Sequence, residues 1–443
     1  MMTMEWSKLL DLERLFLTSS QERPRRPAYD QDADRITFSA PFRRLANKTQ
    51  VHPLYDNDHI HHRLIHSVET ASVGRSLGLE VGWWLEQEGK IEKGGQATVA
   101  GLVHAACLAH DIGNPPFGHS GEAAIGAWFA EKFERGEGLF ADRLACFAEE
   151  FEAFEGNAQG FRIIAGLEMH RRGGMRLTHG TLGAFLKYPV TARTRKSVAA
   201  RDGGLKKFGV FETEREALEA VATRTGLIAG DISASWWRRH PLVYLVEAAD
   251  DICYNILDLE DAFTAGDLSY REAAGMLSAV AGTTPRDDRG DTPSEKMAFL
   301  RAVAIHKAFE DCSAAFSANY DAIMSGTFSS GLVEASAQAD RFAEIGRLAS
   351  ERIFTSPRKT ELEVMGRNLV HRILDGVLPV LEALAEADFD AERIEGYPRQ
   401  LRRALGIDLR RARDPYSALH TLADYVSGMT DRYAVKIDRI ISG

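Results

Sequence analysis

Helical periodicity runs through almost the whole chain, and it constrains the fold more than any single motif does. Apolar residues recur at spacings of three and four, while alternating strand patterns are hard to find. The punctuation agrees. Ser39 before Ala40-Pro41, Thr178 before His179 and Gly266 after a long apolar run have the chemistry of helix caps and stops. The pattern predicts an all-α fold without internal repeats. At 443 residues it is either one large helical body or a few smaller ones.

Several function classes are excluded by composition. With 44% hydrophobic and 27% charged residues, the chain has the make-up of a globular protein with a core. A net charge of −10 argues against general nucleic-acid or membrane-surface binding, so any polyanion site must be a local basic island. No apolar run approaches the ~20 residues of a membrane span, and the acidic, amphipathic N-terminus lacks a signal-peptide layout. Cys107, Cys146, Cys253 and Cys312 form no CxxC pair. Three of them lie in apolar helical contexts and read as buried thiols of a reducing, cytoplasmic compartment.

The segment HAACLAHDIGNPPFGHSGE places His110 and Asp111 at the end of an apolar helix. Adjacent helical residues diverge by about 100°, so one ion takes both only where the backbone turns. Gly113, expected as a left-handed cap, and Pro115-Pro116 supply that turn. His119 and Glu122 then share a face of whatever helix follows. A long helix is expected to begin after Asp56 or Asp58 and to carry His62, Arg63 and His66, with His62 and His66 at clip spacing. In a later helix, expected to start at Pro241, Asp250, Tyr254 and Asp258 form one polar stripe beside an apolar face. The stretch TARTRKSVAARDGGLKKFG is basic and aperiodic, and reads as a mobile loop. Taken singly, each feature reads as well as a helix end or a solvated face. Taken together, His66, His110, Asp111 and Asp250 make a two-His, two-carboxylate set. Such a set suits Mn²⁺, Mg²⁺ or Fe²⁺ at least as well as zinc, and leaves positions open for water and a phosphate oxygen.

This order of ligands is similar to that of the HD-domain phosphohydrolases. SAPFRRLANKTQV, RLIHSVE, LAHDIGNPPFGHSGE, FEGNAQGFR, LKYP, KKFGVFE, YLVEAADDICYNILDLED and GMTDRYA narrow the resemblance to the deoxyguanosinetriphosphate triphosphohydrolase-like family. These runs span Ser39 to Ala434, nearly the whole chain. The resemblance implies a helical HD core at 59–270, preceded by helices and a substrate-contacting segment at 1–58 and followed by a helical region at 271–443. It also implies cleavage of a dNTP, dGTP among them, to a deoxynucleoside and tripolyphosphate.

His66, His110, Asp111 and Asp250 fall on the family's metal-ligand positions, for one Mn²⁺ or Mg²⁺. Asp250 is chosen over Asp251 because Tyr254 and Asp258, four and eight residues on, match substrate-contacting positions. His119 and Glu122 match the catalytic pair, with either an acid or a base role for His119. Arg63 projects from the same helix as His66 and can reach phosphates at the metal, Lys187 and Lys207 match phosphate-holding positions, and Arg193, Arg195, Lys196, Arg201 and Lys206 lie between those two lysines. Gln50 and Asp258 match the clamp on the sugar 3′-hydroxyl. Tyr254 would pack beneath the deoxyribose, and Asn114 and Asn157 match polar positions of the phosphate pocket. Some relatives carry His where Asn114 stands, which puts an acid–base role for it in doubt. GMTDRYA carries no physical role at this stage. The family further implies a homo-oligomer, a hexamer or tetramer, with a dNTP or single-stranded DNA as effector and with VGWW and the C-terminal helices available as interfaces. Competing readings keep the metal site but change the substrate to a dNMP, a cyclic dinucleotide or ppGpp, or make the chain a DNA-responsive regulator.

Overall fold

The computed structural model describes residues 2–17, 25–50, 62–140, 142–198, 207–231, 234–285, 290–353, 355 and 357–443. Among them the fold is all-α apart from one antiparallel strand pair, Ala229–Asp231 with Ala234–Trp237. No helix is long and apolar enough to cross a membrane among the described residues.

Seven helices position the site: α1 (Arg63–Gln87), α2 (Gly95–Ala109), α3 (Gly118–Arg135), α4 (Gly156–Arg162), α5 (Val243–Ala265), α6 (Pro357–Glu386) and α7 (Asp431–Ser442). Helices α1 and α2 pack at unusually close range because three glycines line one face of α1. A Cβ built on Gly78 would lie 2.7 Å from Ala100 Cα, and one on Gly82 would lie 2.8 Å from Gln96 Cα. At Gly74 it would meet Cys107 Sγ and Ala249, which belongs to α5. Glycine weakens a helix interior by about 1 kcal/mol relative to alanine; what it permits here is backbone approach, which carries His66 of α1 toward the end of α2.

The buried apolar residues form two clusters. The first contains Leu77 and Val81 of α1, Leu102 and Val103 of α2, and Ile252 and Ile256 of α5. The second joins Ile125, Trp128 and Phe129 of α3 to Leu369, Ile373, Val377 and Val380 of α6 and to helices near the C-terminus. Polar ties reinforce it, with Trp128 Nε1 donating to Asp375 at 2.9 Å and His371 Nε2 to the Ala124 carbonyl at 3.0 Å.

Most of the punctuation holds. Ser39 caps the helix Ala40–Arg44, Thr178 caps His179–Phe185, and Gly266 ends α5 in a left-handed conformation. Cys107, Cys253 and Cys312 are buried and Cys146 is exposed. Three expectations are corrected. Helix α1 starts at Arg63 with His62 as its cap, while Asp56 and Asp58 lie outside the described residues. The stretch read as a loop contains the helix Ala192–Val198, and residues 199–206 lie outside the described residues. Gly113 has no left-handed backbone; Phe117 and Gly118 take that conformation instead, at φ +64° and +58°. Gly113 is there for closeness, since a Cβ would sit 2.1 Å from the Gly156 carbonyl oxygen and the Gly160 nitrogen on α4.

Candidate active site

Three ligand-type atoms converge where α1, the end of α2 and α5 meet. His66 Nε2 is 3.0 Å from Asp250 Oδ1, and His110 Nε2 is 3.5 Å from the same oxygen. All three lie within 4.8 Å of one another. The local fold selects which nitrogen of His110 faces this point. Its Nδ1 donates to the Cys107 carbonyl at 2.7 Å, leaving the Nε2 lone pair turned inward. That Nε2 is buried without a hydrogen-bond partner among the described residues, an expensive arrangement unless a cation completes it. Burial opposes a charge on His110, yet the carboxylates of Asp111 and Asp250 push its pKa up to about 9. The pocket thus draws positive charge, and its donor set fits a divalent metal.

Asp111 stands next to this group rather than within it. Its Oδ1 is 3.6 Å from His110 Nε2 and accepts from Asn114 Nδ2, while its Oδ2 takes Arg63 Nη1 at 2.7 Å. Burial raises the Asp111 pKa, but Arg63 and His110 outweigh it and hold the carboxyl ionised. Arg63 is buried and committed to Asp111, with its Nε left unpartnered among the described residues. The possible His62 clip does not form, because the His62 ring accepts from the Ile65 amide at the helix start. Asp251, adjacent to Asp250, is not in the cluster; burial and the Asp250 charge raise its pKa to about 7.

The second chemical centre is at the start of α3. His119 Nδ1 donates to Glu122 Oε2 at 2.7 Å, and Glu122 Oε1 accepts from the Gly156 amide at 2.7 Å. The His119 side chain is 85% exposed while that of Glu122 is 9% exposed, so a buried carboxylate holds an accessible ring. The hydrogen bond to Glu122 raises the pKa of His119. The Glu122 carboxyl, which burial alone would raise, is instead lowered by His119 and Lys207. The pair can keep a proton on His119 near neutral pH and release it to an oxyanion.

Both centres open into one cavity of about 390 Å³. Gln50, Arg63, Asn114, Asn157, Lys187, Lys207 and Tyr254 line it together with His110, Asp111, Asp250, His119 and Glu122. His66 lies behind the wall, in edge-on contact with the His110 ring. Asp258 is buried a turn beyond Tyr254 and is not among the lining residues. Gln50 Oε1 has no hydrogen-bond partner among the described residues. Arg201 and Lys206 of the basic run lie outside the described residues. Lys187 and Lys207 reach the cavity, each paired with a glutamate, Glu247 at 3.3 Å and Glu155 at 2.9 Å. Arg195 pairs with Glu149 at 3.2 Å and lies away from the lining.

The HD domain family model matches residues 63–266, and the phosphohydrolase-associated domain model matches 333–439. A deoxyguanosinetriphosphate triphosphohydrolase-like protein of Pseudomonas aeruginosa is 40% identical over 464 aligned positions, covering 99% of each chain. The chain belongs to this family of HD-domain phosphohydrolases. A Synechocystis relative bearing the same name is 36% identical over 99% of both chains. The deoxyguanosinetriphosphate triphosphohydrolase of Salmonella paratyphi A is 30% identical over 92% of both. The chain is thus a hydrolase of a kind that binds divalent metal, and the His66–His110–Asp250 cluster is a group that could hold one ion.

Some cavity residues carried no signal in the sequence. Lys359, Leu362 and Glu363 of α6 form a wall contributed from far along the chain. Phe117 and Tyr188 also line the cavity. Lys48, fully buried, donates to the carbonyls of Asn114 at 2.5 Å and Ser427 at 2.8 Å. Only contacts between distant segments give these residues a role, and a reading based on local spacing does not contain such contacts.

Proposed function

We propose that the chain is a metal-dependent dNTP triphosphohydrolase that converts a dNTP, dGTP among them, to a deoxynucleoside and tripolyphosphate. The observation that carries this reading is a single cavity lined by His110 and Asp250, with His66 completing their cluster behind its wall, by the His119–Glu122 pair and by Gln50 and Tyr254. The names of the Pseudomonas and Salmonella relatives point the same way.

On this reading His66, His110 and Asp250, with Asp111 adjacent, hold one Mn²⁺ or Mg²⁺. When bound, such an ion neutralises α-phosphate charge and lowers the pKa of a coordinated water. Water adds to the α-phosphorus and gives up a proton to solvent, the bond to O5′ breaks, and His119 delivers the proton that O5′ needs to leave, to be reprotonated from solvent afterwards. Glu122 keeps the ring oriented and charged. Lys187 and Lys207 exchange their glutamates for the triphosphate, with charge-assisted bonds on both sides of the exchange. Arg63 acts by fixing Asp111 and presents its remaining edge to the phosphates, where Asn114 and Asn157 add polar contacts. Gln50 and Asp258 take the 3′-hydroxyl, and Tyr254 closes the floor beneath the sugar at C2′, excluding ribonucleotides. A cytoplasmic homo-oligomer, hexamer or tetramer, with a dNTP or single-stranded DNA effector completes the proposal. Trp83, half exposed on α1, is available for such an interface.

The test is an ion-exchange product assay with Mn²⁺ and each of the four dNTPs, alone and mixed. Tripolyphosphate and deoxynucleoside are expected. Pyrophosphate with dNMP, or phosphate with dNDP, overturns the reaction.

A further inference from the structure

Asp431 opens helix α7 within the GMTDRYA run, and it is 1% exposed although it carries a carboxylate. Its oxygens are taken up by two other segments of the chain. Oδ1 accepts the Phe117 amide at 3.0 Å, while Oδ2 accepts the Thr49 amide at 3.0 Å and the Thr49 hydroxyl at 2.5 Å. Thr49 immediately precedes Gln50, and Phe117 stands two residues before His119. Phe117 is a non-glycine residue held in the left-handed region as the N-cap of α3, a conformation that persists only where its surroundings enforce it. The Asp431 bond to its amide and its ring packed against Gly366 of α6 are those surroundings. Lys48 runs parallel to this contact, joining the Asn114 and Ser427 carbonyls, and its own carbonyl accepts from the Arg63 amide at 3.1 Å.

We propose that Asp431 is a positioning residue that fixes the His119 arm against the Gln50 segment, so that the C-terminal region sets the geometry of proton delivery. It touches neither metal nor substrate; it acts through the Phe117 turn. This inference rests on the catalytic role assigned to His119 above.

The experiment is a double-mutant cycle in the full-length protein between Asp431→Asn and His119→Ala. Turnover is followed alongside Mn²⁺ titration and thermal melts. Asparagine keeps the shape but offers a single acceptor oxygen, so it cannot serve both segments. Asp431→Asn is expected to lower kcat roughly 10–100-fold, the cost of a displaced catalytic group, with Mn²⁺ affinity unchanged and KM changed much less. In the His119→Ala background the same substitution is expected to cost little more, because the group it positions is gone. Losses that multiply, or a fall in Mn²⁺ affinity that tracks kcat, overturn the proposal. If Asp431→Asn does not fold, Thr49→Val removes only the hydroxyl bond, and the same non-additivity is required of it. If the wild type releases no tripolyphosphate, the reaction assignment fails on its own. The cycle then runs on whichever dNTP cleavage the wild type performs with Mn²⁺, where additivity or its absence still judges Asp431.

Discussion

At the scale of single residues, the neighbours Asp250 and Asp251 show how much one helical step matters. Asp250 lies beside both histidine Nε2 atoms, whereas Asp251 sits outside the cluster with a proton-retaining environment. Asp250→Ala is expected to abolish Mn²⁺ binding measured by calorimetry, and Asp251→Ala to retain it. Equal loss in the two variants would remove the basis for the metal site drawn here. Residues such as Asp250 were legible because ligand chemistry and helical spacing are local properties. Asp431 and Lys48 were not, since a carboxylate at a helix start has the same local pattern whether it faces water or two buried amides. Arg63 was legible as a site residue, but its commitment to Asp111 depends on α1 and α2 being in contact.

At the scale of elements, the decisive contact is the glycine face of α1 on α2. Gly78→Ala places a methyl against backbone that no rotamer change can relieve, so the helices must part. Overpacking of this kind costs about 1–3 kcal/mol. A lowered melting temperature is expected, with weaker Mn²⁺ binding as His66 moves from His110. Gly275→Ala, on a helix where nothing lies within 4 Å of the added carbon, serves as the control. It is expected to raise stability by up to about 1 kcal/mol. A Gly78→Ala variant as stable as wild type would mean that the close approach is slack. Helix starts at Ser39 and Thr178 were readable from capping chemistry. The helix Ala192–Val198 was not, because its basic sequence shows no amphipathic stripe and its ends, Ala192 and Val198, are buried only by tertiary contact with the second apolar cluster.

At the scale of the whole molecule, one buried histidine ties the N-terminal segment to the start of α5. His240 Nε2 donates to the Leu9 carbonyl at 3.1 Å and its Nδ1 accepts from Leu242 at 3.1 Å, which fixes the neutral form. Burial pushes its pKa down to about 4, against about 6.5 in an unfolded chain. Between those values the unfolded state binds the extra proton, so this contribution is intact above pH ~6.5 and is lost as pH falls toward 4. Denaturant melts at pH 7 and pH 5 are expected to show wild type losing about 2 kcal/mol more than His240→Asn. Equal losses would contradict the burial argument.

The cavity also lies on a seam, with Phe185 and Val246 belonging to the first apolar cluster and Phe117 and Tyr188 to the second. A nucleotide seated there would press on both clusters at once. Its binding free energy is then shared with the cohesion of the seam, so occupancy staples the two halves and an empty site leaves them more loosely joined. If the substrate is the dNTP proposed above, its concentration would also be a determinant of how firmly the protein holds together.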